Sequence, residues 1–435
     1  MKKISVIGLG YVGLPTAVIA AQSGYDVAGF DIDLNKIEKI KNGDPTIVEP
    51  EIQERLNSVL FSEKLKISNQ LEVADCFLIT VPTPLKDDKK ADMSHVFDAG
   101  RQIAQVLKPG DLVILESTVS VGTTDKLAKL LEEISGLTLG INFYVAYCPE
   151  RILPGNTFKE LVENDRIIGA PCLSAAEFAR KFYSKFVKGN LEITDDKTAE
   201  MVKLIENSFR DTQIAFANQV ADMSEIAGID PYNVIFLANK HPRVNILNPT
   251  CGVGGHCIAV DPWFLIDSFS EQTKLLKVVR SINDEKPNFI VNKVLNVVEN
   301  FKKQNFRNPV IAVFGVTYKP DVDDIRESPA LKIVKELNSD KKNLNLIAYD
   351  PFVVKKVFDD NNIANLTNQR NLLEKADIVL FLVKHTQFFN IKTNLLQNKN
   401  IIDACGFIYD FNKKNNNKNS LNIIKESNIL KEVSF

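Results

Sequence analysis

The sequence predicts an α/β protein in which two doubly wound parallel-sheet units are joined by a helical middle. Three observations carry this. Short apolar strands alternate with helical stretches from Ile4 to Tyr147, the period lengthens to that of helices from about Asp195 to Lys303, and strand–helix alternation returns from Pro309 to Asp403. The expected domains are residues 1–195, 196–304 and 305–435. A chain of 435 residues that is 45% hydrophobic and 25% charged can bury the core of two or three domains. A net charge of −2 offers no bulk attraction to nucleic acid or an anionic membrane, so small molecules are the expected partners. The six cysteines show no C-x-x-C spacing, and with only four histidines no metal site is expected. Met1-Lys2-Lys3 runs directly into a strand, and no apolar run approaches the ~20 residues of a membrane span, so a cytoplasmic protein without membrane insertion is expected.

The first strand, Ile4–Ile7, leads into Gly8-Leu9-Gly10-Tyr11-Val12-Gly13, a helix over Leu14–Ser23 stopped by Gly24, and a second strand, Asp26–Phe30, ending at Asp31. Strand, glycines, helix, strand and terminal acid in this order form a dinucleotide-binding fingerprint of the Rossmann type. Gly8 permits the tight turn, Gly10 lets a pyrophosphate reach the helix N-terminus with Tyr11 and Val12 beside it, and Gly13 allows close helix–strand packing. Asp31 is placed to bind a ribose diol and to repel a 2′-phosphate, which selects NAD over NADP. Further strands over Cys76–Val81, Leu112–Leu115 and Tyr144–Tyr147 end in polar residues on the ligand-binding edge of such a sheet. Thr83 and Thr118 are candidate cofactor or water contacts there. The loop Cys148-Pro149-Glu150-Arg151-Ile152-Leu153-Pro154-Gly155-Asn156 sets an acid beside a base, and Arg151 can meet a phosphate or pair with Glu150.

The middle contains two long helical runs, Thr198–Gly228 and roughly Lys274–Lys303, a natural place for a dimer contact. On the first, Lys203, Asn207 and Arg210 share one face. Between the runs stands Asn248-Pro249-Thr250-Cys251-Gly252-Val253-Gly254-Gly255-His256-Cys257-Ile258-Ala259-Val260-Asp261-Pro262-Trp263. Glycines before Cys257 imply unusual φ values and a backbone without side-chain cover, which leaves the thiol approachable. A helical turn starting at Cys257 would put Asp261 on the same face and helix amides near the sulfur. Taken alone, the stretch also fits a glycine-rich surface turn beside a structural cysteine. In the third part, strands over Pro309–Phe314, Leu344–Tyr349, Ile378–Val383 and Asn400–Asp403 and a helix over Ala330–Leu337 form a second doubly wound unit without the glycine fingerprint. It suits another nucleotide-like ligand, with Lys319 and Arg326 as phosphate contacts. The Asn/Lys tract Asn412–Asn419 reads as a mobile low-complexity loop.

Together the Gly-x-Gly-Tyr-Val-Gly-Leu-Pro fingerprint, Cys-Pro-Glu-Arg-Ile-Leu-Pro-Gly, Lys203 to Asn207, Gly-Gly-His-Cys-Ile-Ala-Val-Asp-Pro-Trp and Lys319-Pro-Asp to Arg326-Glu-Ser resemble the UDP-glucose/UDP-N-acetylmannosamine dehydrogenase family over about residues 1–410. With His241-Pro242-Arg243-Val244-Asn245 upstream, the cysteine stretch is most similar to the UDP-N-acetyl-D-mannosamine branch. The resemblance implies a four-electron, NAD-dependent oxidation of the sugar C6 alcohol to a carboxylate through a thioester on Cys257, serving polysaccharide biosynthesis. It implies that Lys203 stabilises the alkoxide, that Asp261 orients or activates a water, and that Thr118, Glu150 and Asn207 complete the catalytic set. Arg151, Ile152, Lys203, Asn207, Arg210, His241, Arg243, Gly254, Tyr318 and Lys319 would line the UDP-sugar site, Arg243 from the partner subunit of a homodimer, and Arg326 would touch the cofactor. The chain departs from the family's pattern at Thr250-Cys251, where Thr250 tolerates positive φ poorly, and at Cys405, where relatives carry a base. The alternatives are a UDP-N-acetylglucosamine or UDP-glucose 6-dehydrogenase of the same mechanism, a two-electron hydroxy-acid dehydrogenase, and a non-catalytic NAD sensor.

Overall fold

The computed structural model describes residues 1–153, 155–339 and 342–414. These residues form two compact units, one of residues 1–206 and 263–270, the other of 207–262 and 271 onward. Among them no helix is long and apolar enough to cross a membrane.

The first unit is built on eight strands: β1 (Lys3–Ile7), β2 (Asp26–Phe30), β3 (Leu65–Ser68), β4 (Cys76–Ile79), β5 (Leu112–Leu115), β6 (Tyr144–Tyr147), β7 (Arg166–Gly169) and β8 (Leu191–Thr194). Their order is β3-β2-β1-β4-β5-β6-β7-β8. Strands β4 and β5 are buried throughout, as helices on both faces of a parallel sheet require. The strand order reverses between β1 and β4, whose register pairs Ile4 with Cys76 and Ile7 with Ile79. Such a switch point opens a crevice at the carboxyl ends of the strands. The sheet is not wholly parallel: β7 runs antiparallel to β6 through Tyr147 and Gly169. Two apolar clusters fill the faces of this sheet, one around Ile4, Leu14 and Phe182, the other around Phe77, Val113 and Tyr147.

The long helical runs are helices Asp196–Ile226 and Lys274–Asn305. The second unit adds β9 (Val310–Phe314), β10 (Asn345–Tyr349), β11 (Ile378–Phe381) and β12 (Asn400–Asp403), all parallel in the order β10-β9-β11-β12. The helix Pro329–Leu337 starts where Ser328 Oγ accepts from Leu331 N and proline takes the first helical position. Of the Asn/Lys tract, Asn412–Lys414 are not loop but the last turn of helix Phe407–Lys414, which buries Phe407, Ile408 and Phe411. The remainder of the tract lies outside the described residues.

Candidate functional site

The glycine turn of the first unit fits a dinucleotide by its own geometry. Gly8 has φ +93°, a conformation other residues resist. A Cβ on Gly13 would stand 1.9 Å from Gly8 O and 2.4 Å from Thr80 Oγ1, so only glycine lets the helix approach β1 and β4. A Cβ on Gly10 would meet no atom within 4 Å, which leaves room beside the turn. No side chain caps the start of helix Gly13–Gln22 and no acid lies in its first turn, so its amides can receive an anion. At the end of β2, Asp31 accepts from Leu9 N at 2.9 Å, Asp33 N at 3.0 Å and Lys36 Nζ at 2.9 Å. Burial pushes its carboxyl up, but the two amides and the lysine outweigh that and hold it below the usual range. Three of about four acceptor positions are filled, and a ribose hydroxyl can take the other. Lys36 is absent from the predicted set because a lysine in an ordinary amphipathic helix carries no signal.

At the carboxyl edge of β4, β5 and β6, Thr83 Oγ1 donates to Thr118 O at 2.7 Å, which brings together two predicted residues from separate loops. The Glu150–Arg151 side-chain pair, one of the two alternatives for Arg151, does not form. The Arg151 guanidinium pairs with Glu206 at 2.8 Å and donates to Asp165 O, while only its backbone N donates to Glu150 Oε1, at 2.7 Å. The side-chain partner of Glu150 is Arg166 Nη2 at 2.6 Å. Arg166 also lies 3.7 Å from Glu116 Oε1, which accepts from Tyr183 Oη at 2.6 Å. Arg166, Glu116 and Tyr183 are all buried. In the sequence Arg166 is marked only as a cation opening an apolar run. Ile152 packs partly buried against the first core.

Lys203 is buried on helix Asp196–Ile226. One turn earlier Glu200 accepts from Gly122 N and from Thr124 N and Oγ1, capping helix Thr123–Ser135 and anchoring the long helix in the first unit. In the second unit Asn207 Nδ2 donates to Asp261 Oδ2 at 2.5 Å. Farther along, Arg210 is exposed, as are His241 and Arg243, the latter donating its backbone N to His241 Nδ1 at 3.4 Å.

Cys257 is exposed. The helix proper begins at Asp261 rather than at the cysteine, yet Asp261 N donates to Cys257 O at 2.8 Å, so a single α-turn links the two. Gly252 and Gly255 have φ of +132° and +81°. Gly254 serves close approach instead: a Cβ there would stand 2.5 Å from Glu327 O and 2.9 Å from Tyr318 Cβ. Two predicted substrate contacts, Gly254 and Tyr318, are thus adjacent. The concern over Thr250 resolves without positive φ, since its Oγ1 donates to Gly252 O at 2.8 Å and its N donates to Asn218 Oδ1 at 2.8 Å. Asn218 is held in turn by Asn283, Asn283 by Asp211, and Asp211 by the fully buried Arg280 at 2.7 Å. The neighbouring Cys251 is buried, and that burial pushes its thiol up to about 12.

Lys319 Nζ lies 5.8 Å from the Tyr318 ring centroid. The Arg326 guanidinium is forked onto Asp324 at 2.9 and 2.6 Å. Its carbonyl accepts from Gly255 N, which ties the loop after β9 to the cysteine stretch.

Residues 2–187 match the NAD binding domain of the UDP-glucose/GDP-mannose dehydrogenase family, 197–285 its central domain and 312–410 its UDP binding domain. The chain is 44% identical over 403 residues to the UDP-N-acetyl-D-mannosamine dehydrogenase of Campylobacter jejuni, covering 90% of this chain and 97% of the relative. It is 42% identical over 415 residues to the NDP-N-acetyl-D-galactosaminuronic acid dehydrogenase of Ralstonia nicotianae, covering 93% and 96%. The solved structure of UDP-D-ManNAc dehydrogenase from Pyrococcus horikoshii superposes with a TM-score of 0.86 at 40% identity, over 97% of this chain and 98% of that one. With a glycine turn shaped for a dinucleotide and full-length similarity across all three parts, the chain belongs to the UDP-glucose/GDP-mannose dehydrogenase family and is an NAD-dependent UDP-sugar dehydrogenase.

Proposed function

We propose that the substrate is UDP-N-acetyl-D-mannosamine and that its C6 hydroxyl is oxidised by four electrons to the uronate. The alcohol and one water become a carboxylate while two NAD are reduced and three protons released. The observation that carries this reading is an exposed Cys257 on a turn whose next residues deliver a buried Asp261 bonded to Asn207. The chemistry explains why a cysteine is needed. An aldehyde has no leaving group, so thiolate addition to its carbonyl carbon is required before a second hydride can depart and leave a thioester. Water then forms the new C–O bond, the C–S bond breaks, and the Cys257 thiolate is released.

In this scheme the dinucleotide, held by Gly8, Gly10, Tyr11, Val12, Gly13, Asp31 and Thr83, supplies the hydride acceptor. Lys203 neutralises the developing alkoxide, and Asn207 and Asp261 fix the water or oxyanion. Thr118 and Glu150 complete the water network. Arg151, Ile152, Arg210, Gly254, Tyr318 and Lys319 hold the UDP-sugar, with His241 and the partner copy's equivalent of Arg243. Arg326 contributes to the cofactor once released from Asp324. A homodimer is supported by a stripe of three apolar residues spaced seven apart on the long helix, Phe209, Phe216 and Met223, which are 61%, 52% and 57% exposed. The three-part division at 1–195, 196–304 and 305–435, a cytoplasmic location and a role in polysaccharide biosynthesis belong to the same reading.

The test is NADH formation with a panel of UDP-sugars. UDP-N-acetyl-D-mannosamine should yield two NADH per sugar and exceed its epimers in kcat/KM by about tenfold or more, the scale of one well-placed polar contact. One NADH per sugar ends the four-electron reading. Preference for the galacto isomer, which differs at both C2 and C4, would favour a second reading, an N-acetylgalactosamine substrate, which the 42% identity to the Ralstonia enzyme supports.

A further inference from the structure

The one antiparallel junction of the first sheet has a chemical consequence. In a parallel sheet, the start of a strand lies at the edge away from the ligand crevice. Because β7 runs against β6 with Tyr147 opposite Gly169, continuing that register three residues sets Arg166, the first residue of β7, opposite Glu150 beyond the end of β6. The guanidinium therefore arrives at the reactive edge. There Nη2 meets Glu150 Oε2 at 2.6 Å, Nη1 lies 3.7 Å from Glu116 Oε1 and 3.8 Å from Cys148 Sγ, and the group sits over the Tyr183 ring at 4.7 Å.

Two carboxylates thus face one guanidinium. Arg166 and Glu116 side chains are 4% and 0% exposed, so water cannot relieve the competition. Tyr183 donates to Glu116 Oε1, but among the described residues no group donates to Glu116 Oε2. An ionised carboxylate with one buried oxygen unsolvated is costly, whereas the neutral acid is less so. Burial and the nearby Glu150 push the Glu116 carboxyl up to about 7, with Arg166 and Tyr183 opposing. The other titratable groups facing it are neutral in this range: burial drives the Cys148 thiol to about 11 and raises Tyr183 and Cys76 well above their usual values.

We propose that Arg166 is the positioning residue of Glu150, and that the proton on Glu116 decides whether Arg166 serves Glu150 alone or is shared. With Glu116 neutral, the guanidinium is committed to Glu150 and aims its carboxylate at the hydrolytic water. With Glu116 charged, the cation is divided and Glu150 is held less firmly. This rests on the reading of Glu150 as part of the water network for thioester hydrolysis, and it predicts that the network acts after both hydride transfers.

The test uses the full chain with NAD and UDP-N-acetyl-D-mannosamine. Arg166→Lys, which keeps the charge but loses the fork, should release two NADH per active site in a burst and then turn over about tenfold or more slowly. KM for both substrates should stay within about threefold of wild type. Glu116→Gln should remove one ionisation from the kcat profile between about pH 6 and about pH 8. If wild type makes two NADH per sugar while Arg166→Lys shows no burst and Glu116→Gln keeps the wild-type profile, the inference is overturned and the four-electron reading stands. If wild type itself makes one NADH, the underlying reading has failed instead. Should Arg166→Lys not fold, the Glu116→Gln profile decides alone.

Discussion

At the scale of single residues, function follows from groups forced into unusual surroundings. The need for glycine was legible at Gly8, with its left-handed φ, and at Gly255, but not at Gly254, where it comes from the close approach of Glu327 O rather than from φ. The partners of charged residues were less so, because pairing depends on strand direction. Glu150 pairs with Arg166 from a separate strand rather than with its chain neighbour Arg151. Glu116 carries a stability prediction. Its folded pKa, about 7, is raised above the ordinary 4.5, so the unfolded chain gives up this proton first. The contribution is fully present below about pH 4.5 and lost as pH rises through about 7, on the order of 3 kcal/mol at most. Comparing urea midpoints of wild type and Glu116→Gln at about pH 5 and about pH 8 should show wild type alone losing that increment. Equal pH dependence of the two would mean Glu116 is ionised in the fold.

At the scale of elements, the buried parallel strands were readable because both faces are covered and the runs are continuously apolar, as in Leu112–Leu115. Strands β3, β7 and β8 were not, since β3 alternates covered and exposed positions, β7 opens on a charged residue and β8 holds no buried residue. The two long helices were readable by period, but not what they hold between them. The buried chain Arg280–Asp211–Asn283–Asn218 ends on Thr250 N, seven residues before Cys257. It gives the departure at Thr250 a fixed shape. Asn218→Ala should leave Thr250 N and Asn283 Oδ1 unpartnered and lower unfolding stability by about 1–3 kcal/mol. It should also reduce kcat without changing KM for NAD, because the glycine turn belongs to the other unit. Unchanged urea midpoint and kcat would show that the asparagine chain does not support the cysteine loop.

At the scale of the molecule, a nucleotide-type sheet in each unit was legible from strand–helix alternation, and the structure adds that the second unit copies a detail of the first. Leu9 N donates to Asp31 after β1 at 2.9 Å, and Val316 N donates to Asp350 after β9 at 2.8 Å. The compact units divide inside helix Asp196–Ile226, between Glu206 and Asn207, which no periodicity can reveal because the helix continues unchanged. The proposed homodimer would place its contact on that helix as well, at its exposed apolar stripe. Phe216→Glu, placing a charge in the exposed stripe, should convert a dimer into monomers in sedimentation velocity. A variant that sediments as wild type would move the interface elsewhere.

The covalent role of Cys257 is tested most directly by acid-quenching the enzyme during turnover and mapping its peptides by mass spectrometry. A nucleophilic Cys257 should carry a sugar-acyl adduct, and the buried Cys251 none. Two NADH formed per sugar with Cys257 unmodified throughout, and with Cys257→Ala retaining the wild-type rate, would contradict it.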